Sequence, residues 1–139
     1  MIRTNTELQK AQFRLKAERG RISSQRKGLR AEGLTKTEIK RALDPIVSFH
    51  LQLAEEVEAY ERLQRGEFGE LTNLQGLGRL LISLRIHRGL SQRELATKLD
   101  VHETQVSRDE RNEYHGITVS RAAGILEVLG VRLTTSVKL

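Results

Sequence analysis

The segment formed by residues 91–112 constrains the fold more than any other, because it predicts two short helices joined by a tight turn. Ser91 is suited to cap a helix, and Glu94 three residues later completes a capping box. Asp100 interrupts the apolar pattern of that helix, and a second helix is expected over residues 102–111. The segment therefore predicts a helical pair that the rest of the fold must support.

Two helices that meet across such a turn form a helix-turn-helix, in which the first helix braces the fold and the second can enter the major groove of DNA. Val106 should point inward, which leaves the opposite face of the second helix outward. Arg108 can contact guanine through two hydrogen bonds, Glu103 can accept one from cytosine, and Thr104 can touch a thymine methyl or a base edge. The residues expected to meet DNA, with Gln105 at the border of the face, are Glu103, Thr104, Gln105, Ser107, Arg108 and Arg111. The alternative is a charged, solvated helix face.

The composition indicates a mostly helical protein, since one proline and few aromatic residues accompany many Leu, Arg, Glu, Lys and Gln residues. The chain has no cysteine, so disulfides and thiolate metal sites are excluded. No apolar run approaches the roughly 20 residues needed to span a bilayer, and the N-terminus lacks the apolar stretch of a signal peptide. We expect a cytoplasmic, nucleoid-associated protein without a membrane partner.

No constellation of residues indicates catalysis. The histidines lack zinc-binding spacing, and nothing resembles a nucleophile elbow, so no metal, cofactor or enzymatic activity is expected. The four histidines are His50, His87, His102 and His115.

The net charge of +6 fits a polyanionic partner, and its distribution is uneven. Residues 1–66 carry +5 and residues 67–139 carry +1, so the excess lies outside the helix-turn-helix. Between residues 10 and 30 the only carboxylate is Glu18. This basic helix has three interpretations: a solvated face, a phosphate contact, or a docking surface for an acidic partner. Its cations are Lys10, Arg14, Lys16, Arg19, Arg21, Arg26, Lys27 and Arg30.

The N-terminal half predicts a helical hairpin. Large apolar residues recur every seven positions along a first helix over residues 5–32 and place one stripe on its side. Gly33 ends this helix, and Thr35 with Glu38 offers a capping box for a second helix. Pro45 should kink or break the second helix, because proline removes a backbone hydrogen bond. The stripe consists of Leu8, Leu15, Ile22 and Leu29.

Glycine and polar residues at 67–76 predict a linker between a hairpin over 1–66, which would serve dimerisation or partner binding, and a domain over 77–130. Gly76 and Gly78 lack the third glycine of a dinucleotide fingerprint and are interpreted as hinge residues.

The C-terminal part predicts a final helix followed by a strand. Thr118 should cap the helix and Gly130 should end it. Residues 131–139 alternate apolar and polar side chains, which is typical of a short strand. A lone strand has unpaired edges, so we expect it to pair with its counterpart in a homodimer. The helix residues expected to face inward are Val119, Ala122, Ile125, Leu126 and Leu129.

Two motifs within residues 77–133 carry a family resemblance: R-x-x-R-G-L-S-Q-x-E-L-A at Arg85–Ala96 and V-S-R-x-E at Val106–Glu110. The pattern resembles the Cro and phage-repressor-like helix-turn-helix family, also called XRE. The expected fold class is therefore mainly α: an N-terminal helical hairpin, a lambda-repressor-like domain of four or five helices, and one short C-terminal β-strand.

The resemblance also assigns roles to individual residues. It implies a buried structural ion pair between Arg85 and Glu110, and a phosphate contact from Gln92. Two positions depart from the family pattern: Asp109 stands where an apolar or aromatic residue is usual, and His102 stands where Ser or Thr usually caps the recognition helix.

The sequence thus favours a repressor or autoregulator that binds double-stranded DNA at a near-palindromic operator as a dimer. Members of the family with a C-terminal strand include antitoxins, so a toxin or another protein partner stays open. The alternative is a protein-interaction module, in which the hairpin binds a partner protein and the helix-turn-helix is a scaffold.

Overall fold

The computed structural model describes all 139 residues, which form six helices and no β-strand. The chain divides into two compact units, Met1–Glu61 and Arg62–Leu139, so the segment predicted as a linker lies inside the second unit. No helix has the length and apolar character needed to cross a membrane. The mainly helical fold class is confirmed. The helices are α1 (Asn5–Ala31), α2 (Lys36–Gln64), α3 (Leu77–His87), α4 (Gln92–Leu99), α5 (Glu103–Arg111) and α6 (Val119–Val128).

The first unit consists of α1 and most of α2, which run antiparallel. The hydroxyl of Tyr60 donates to Asn5, and His50 contacts Glu18, so the start of one helix lies beside the end of the other. Gly33 ends α1 with a left-handed φ of 87°, and the Thr35–Glu38 capping box opens α2. The buried side chains between the helices are Leu8, Ala11, Leu15 and Ile22 of α1 with Ile39, Leu43, Val57 and Tyr60 of α2.

Glu18 lies on α1 between the buried residues Leu15 and Ile22, and its carboxylate has polar partners. Its carboxylate accepts from Arg14 at 2.7 Å and lies 3.3 Å from His50 Nδ1. The hydrogen bond from Arg14 is the main reason that the pKa of Glu18 is lowered. This half-buried carboxylate between α1 and α2 therefore has partners from both helices.

Helix α2 runs unbroken through Pro45, so of the predicted kink or break, the break does not occur. Pro45 and Arg41, whose carbonyl loses its helical partner, are both exposed, and water can replace the missing bond. Buried side chains on both sides, at Leu43 and Val57, anchor the helix.

The second unit packs α3 to α6 around an apolar core, with α4 lying mainly against α5. The helix ends follow the predicted signals. Ser91 and Glu94 form the capping box of α4, Asp100 ends it at φ 55°, and Thr118 caps α6. The core residues are Leu81, Ile82, Leu84, Ile86, Leu95, Ala96, Val106, Tyr114, Ala122, Ile125 and Leu129.

Two expectations for the C-terminal part are wrong. Residues 131–139 form no strand, because a strand needs a hydrogen-bonding neighbour and the chain offers this segment none. Val119 is 76% exposed rather than inward, because it is the first residue of α6 and faces away from the core that Ala122 and Ile125 enter.

Gly78 is a packing residue of α3. A Cβ at this position would overlap the carbonyl oxygen of Glu113 and would lie 3.3 Å from Cβ of Tyr114. Only glycine lets α3 approach this loop so closely, which gives Gly78 a role other than that of a hinge.

We expect Gly78→Ala to lower the free energy of unfolding of the second unit by about 1 to 3 kcal/mol, because the methyl group overpacks a backbone contact. Urea denaturation followed by circular dichroism measures this change. Gly124→Ala is the matched control: nothing lies within 4 Å of its added Cβ, so the same substitution should stabilise α6 by up to about 1 kcal/mol. Equal effects of the two variants would contradict the packing role.

Candidate DNA-binding site

A buried ion pair fixes the recognition helix α5 to α3. Arg85 Nε donates to Glu110 Oε2 at 2.5 Å, and its Nη2 donates to Oε1 at 2.8 Å. Both side chains are almost completely buried. A bidentate pair of this kind sets the distance and the rotation of one helix relative to the other. The pair implied by the resemblance is thus present in the structure.

Two further hydrogen bonds support this pair. Arg85 Nη1 donates to the carbonyl oxygen of Leu90 at 2.7 Å, just before α4 begins. The side-chain amide of Gln92 donates to Glu110 Oε1 at 3.0 Å. Gln92 is half-buried and belongs to the support of α5, while its predicted phosphate contact stays a prediction.

The outer face of α5 carries the predicted DNA-contacting residues. Val106 and Glu110 are buried, so the helix turns the opposite side to solvent. The structure places Glu103 and Ser107 at the edge of this face, where they are half-buried. The fully exposed members of the set are Thr104, Gln105, Arg108 and Arg111. The face thus offers two guanidinium groups, a hydroxyl and an amide side by side.

Glu103 already has a partner on α4. Arg93 Nε donates to its Oε2 at 3.3 Å, and the two side chains are 80% and 45% exposed. Exposed ion pairs of this kind are worth at most about 1 kcal/mol. Glu103 can therefore leave Arg93 at little cost when another donor approaches.

The two departures from the family pattern have structural explanations. His102 caps α5, since its Nδ1 accepts from the backbone N–H of Thr104 at 3.1 Å. Asp109 forms an ion pair with Arg121 of α6 at 2.8 Å. The polar residue at position 109 thus joins α5 to α6, where the family usually places an apolar side chain.

Sequence reasoning missed two arginines that hold the domain together. Arg121 is the partner of Asp109, and Arg88 donates from Nε and Nη2 to the carbonyl oxygens of Leu129 and Gly130, both at 3.0 Å. Arg88, which follows the end of α3, thereby provides donors for the backbone carbonyl groups at the end of α6. Both contacts join residues far apart in sequence, and no local motif signals them.

Two groups in this domain, the hydroxyl of Tyr114 and the carboxyl of Glu94, have shifted pKa values. Burial raises the pKa of the Tyr114 hydroxyl, and the nearby carboxylates of Glu110 and Asp109 raise it further. The hydrogen bond from the backbone of Ser91 is the main reason that the pKa of Glu94 is lowered, and the Ser91 side chain adds to it. At a pH above the ordinary pKa of glutamate, the ionised carboxylate of Glu94 therefore stabilises the capping box. This stabilisation is lost as the pH falls through the lowered pKa.

We expect Arg85→Ala to destabilise the second unit by about 3 to 5 kcal/mol, because Glu110 would be left as a buried, unpaired carboxylate. Thermal and urea denaturation measure the loss. The double variant Arg85→Met, Glu110→Leu is the control, since it removes both charges and should recover much of the stability. A melting temperature of Arg85→Ala equal to that of the wild type would contradict a structural role.

We expect His102→Ala to cost about 1 kcal/mol of stability, because α5 would lose its side-chain cap. His102→Asn should retain the stability, since asparagine is among the best capping residues. Urea denaturation at pH 7.5 compares the two variants. If both lose the same stability, the cap has no energetic role.

The comparisons with known proteins identify this part of the chain. Residues 81–135, less than half of the sequence, match the model of a helix-turn-helix family. Neither the curated proteins nor the solved structures provide a match. The matched segment includes the Arg85–Glu110 pair and all of α4, α5 and α6. Residues 81–135 are therefore similar to the Cro/C1-type (XRE) helix-turn-helix domains of DNA-binding transcription regulators.

Proposed function

We propose that this protein is a sequence-specific repressor that binds a near-palindromic operator as a dimer and regulates its own promoter. The observation that carries the proposal is the exposed polar face of α5, held in place by the buried pair of Arg85 and Glu110. Such a rigid helix with a polar outer face fits the major groove.

Recognition would depend on a few directed contacts from α5. Arg108 can donate two hydrogen bonds to guanine, and Glu103 can accept from cytosine once it leaves Arg93. Thr104 lies one turn before Arg108 on the same face. Repression would follow from occupancy of the promoter.

Dimerisation is supported by apolar side chains that the second unit leaves exposed after α5. The exposed residues are Val119, Leu133, Val137 and Leu139. If these side chains packed against their counterparts in a second copy of the chain, they would join two helix-turn-helix domains directly. For both copies of α5 to enter successive major grooves on one side of a duplex, the dimer would have to hold them about 34 Å apart.

A second candidate function, a protein-interaction module, is favoured by the first unit. Phe13 and Phe49 are 77% and 67% exposed, and aromatic side chains are common anchors of protein interfaces. The hairpin would then bind a partner, such as a toxin encoded beside this protein, with the helix-turn-helix as a scaffold. Co-purification with the product of the neighbouring gene tests this candidate.

We expect Arg108→Ala to weaken binding to the operator by about 1 to 3 kcal/mol and to relax the preference at one base pair. The operator is obtained by selecting duplexes from a random pool with the full chain, and the affinities follow from mobility shifts. Arg132→Ala is the control, because this exposed cation lies outside α5. An unchanged selected sequence for Arg108→Ala would refute its assigned role. Wild-type binding that does not distinguish the operator from a random duplex would favour the interaction module.

A further inference from the structure

The turn end of the hairpin concentrates the positive charge of the chain. We call residues 19–41 the hairpin tip; they comprise the second half of α1, the turn and the start of α2. The tip has eight cations and two carboxylates, Glu32 and Glu38, and its net charge of +6 equals that of the whole chain. The cations are Arg19, Arg21, Arg26, Lys27, Arg30, Lys36, Lys40 and Arg41.

All eight cations of the hairpin tip are exposed, and none forms an ion pair. Arg14 of the same helix differs, since it pairs with Glu18. The charge of the tip is therefore not neutralised within the chain and is available to an external anion.

The hairpin tip lacks the apolar anchors of a protein interface. The exposed aromatic residues of the first unit, Phe13 and Phe49, both lie outside the tip, and no large apolar side chain within it is exposed. Protein interfaces depend on buried aromatic and aliphatic anchors, whereas phosphate contacts need cations and small hydrogen-bond donors. Ser23, Ser24 and Gln25 provide such donors between the cations. This chemistry favours a phosphate backbone over an acidic protein.

The helix-turn-helix domain is nearly neutral, since residues 67–139 carry a net charge of only +1. Its exposed cations without an ion pair are Arg88, Lys98, Arg108, Arg111, Arg132 and Lys138. Three of its exposed cations are paired with carboxylates, and α5 itself carries Glu103, Asp109 and Glu110. Sequence-independent attraction to DNA comes mainly from Lys and Arg near phosphates. The net positive charge that attracts a phosphate backbone therefore lies mainly in the hairpin tip, outside the domain that presents the recognition helix. The paired cations are Arg79, Arg93 and Arg121.

We propose that the hairpin tip is a second DNA contact, which binds the phosphate backbone without regard to sequence. This inference rests on DNA binding by the proposed regulator and adds the surface that supplies most of its electrostatic affinity. Residues 19–31 of α1 extend about 18 Å at 1.5 Å per residue, a length comparable to about five phosphates of one strand.

The test uses a full-length quadruple variant of the hairpin tip: Arg21→Gln, Arg26→Gln, Lys27→Gln and Arg30→Gln. The control variant removes the same charge elsewhere, through Lys10→Gln, Lys16→Gln, Arg132→Gln and Lys138→Gln. Affinities for a selected operator and a scrambled duplex are measured between 50 and 300 mM KCl. Circular dichroism verifies the fold, and a variant with lysine in place of Arg21, Arg26 and Arg30 should behave as the wild type even if the quadruple variant is unstable.

We expect the tip variant to bind both duplexes on the order of tenfold or more weakly, with an unchanged ratio between them. The slope of log affinity against log salt should fall by about 0.9 for each phosphate that the variant no longer neutralises. A tip variant with the slope of the control variant would overturn the inference and would leave an acidic protein as the partner of the tip. Equal wild-type affinity for the two duplexes would overturn the proposed operator recognition instead, while the slope on the scrambled duplex would still test the tip.

Discussion

The bidentate contact between Arg85 and Glu110 is the interaction on which the second unit depends. It joins α3 to α5 inside an apolar core, and the Leu90 carbonyl and the Gln92 amide add further hydrogen bonds to the pair. A buried charge pair is stabilising only when its geometry and its other hydrogen bonds are well satisfied. This requirement makes the orientation of α5 specific, because a rotation of the helix would leave charges unpaired.

The sequence predicts local features of this fold well and long-range features poorly. The capping residues Ser91 and Thr118 and the stop at Gly33 act within one turn of a helix, so their signals are contained in a few neighbouring positions. The ion pair of Asp109 and Arg121 depends on how two helices pack, which no short pattern specifies. The predicted C-terminal strand is absent from the structure for a related reason. The alternation of apolar and polar side chains indicates which side chains would share a face, but it does not supply the neighbouring strand that a strand needs for its hydrogen bonds. The packing role of Gly78 also depends on a distant loop.

The same limits apply to the candidate site. Helical spacing from Val106 indicated an outer face, and the structure exposes Thr104, Gln105, Arg108 and Arg111. The Arg85–Glu110 pair followed only from family resemblance, because residues 25 positions apart share no local signal. The structure also separates two kinds of surface: a nearly neutral domain with a few directed polar groups, and a hairpin tip with many unpaired cations. Specificity and attraction to DNA would then reside in different parts of the chain.

The cap of α5 also restricts the chemistry of Thr104. His102 Nδ1 accepts from the backbone N–H of Thr104 and also lies 2.9 Å from Thr104 Oγ1, so the hydroxyl that could reach a base edge is already in contact with the helix cap. A base edge that forms a hydrogen bond with the Thr104 hydroxyl would therefore compete with His102 for it, so DNA binding and the capping of α5 share one side chain.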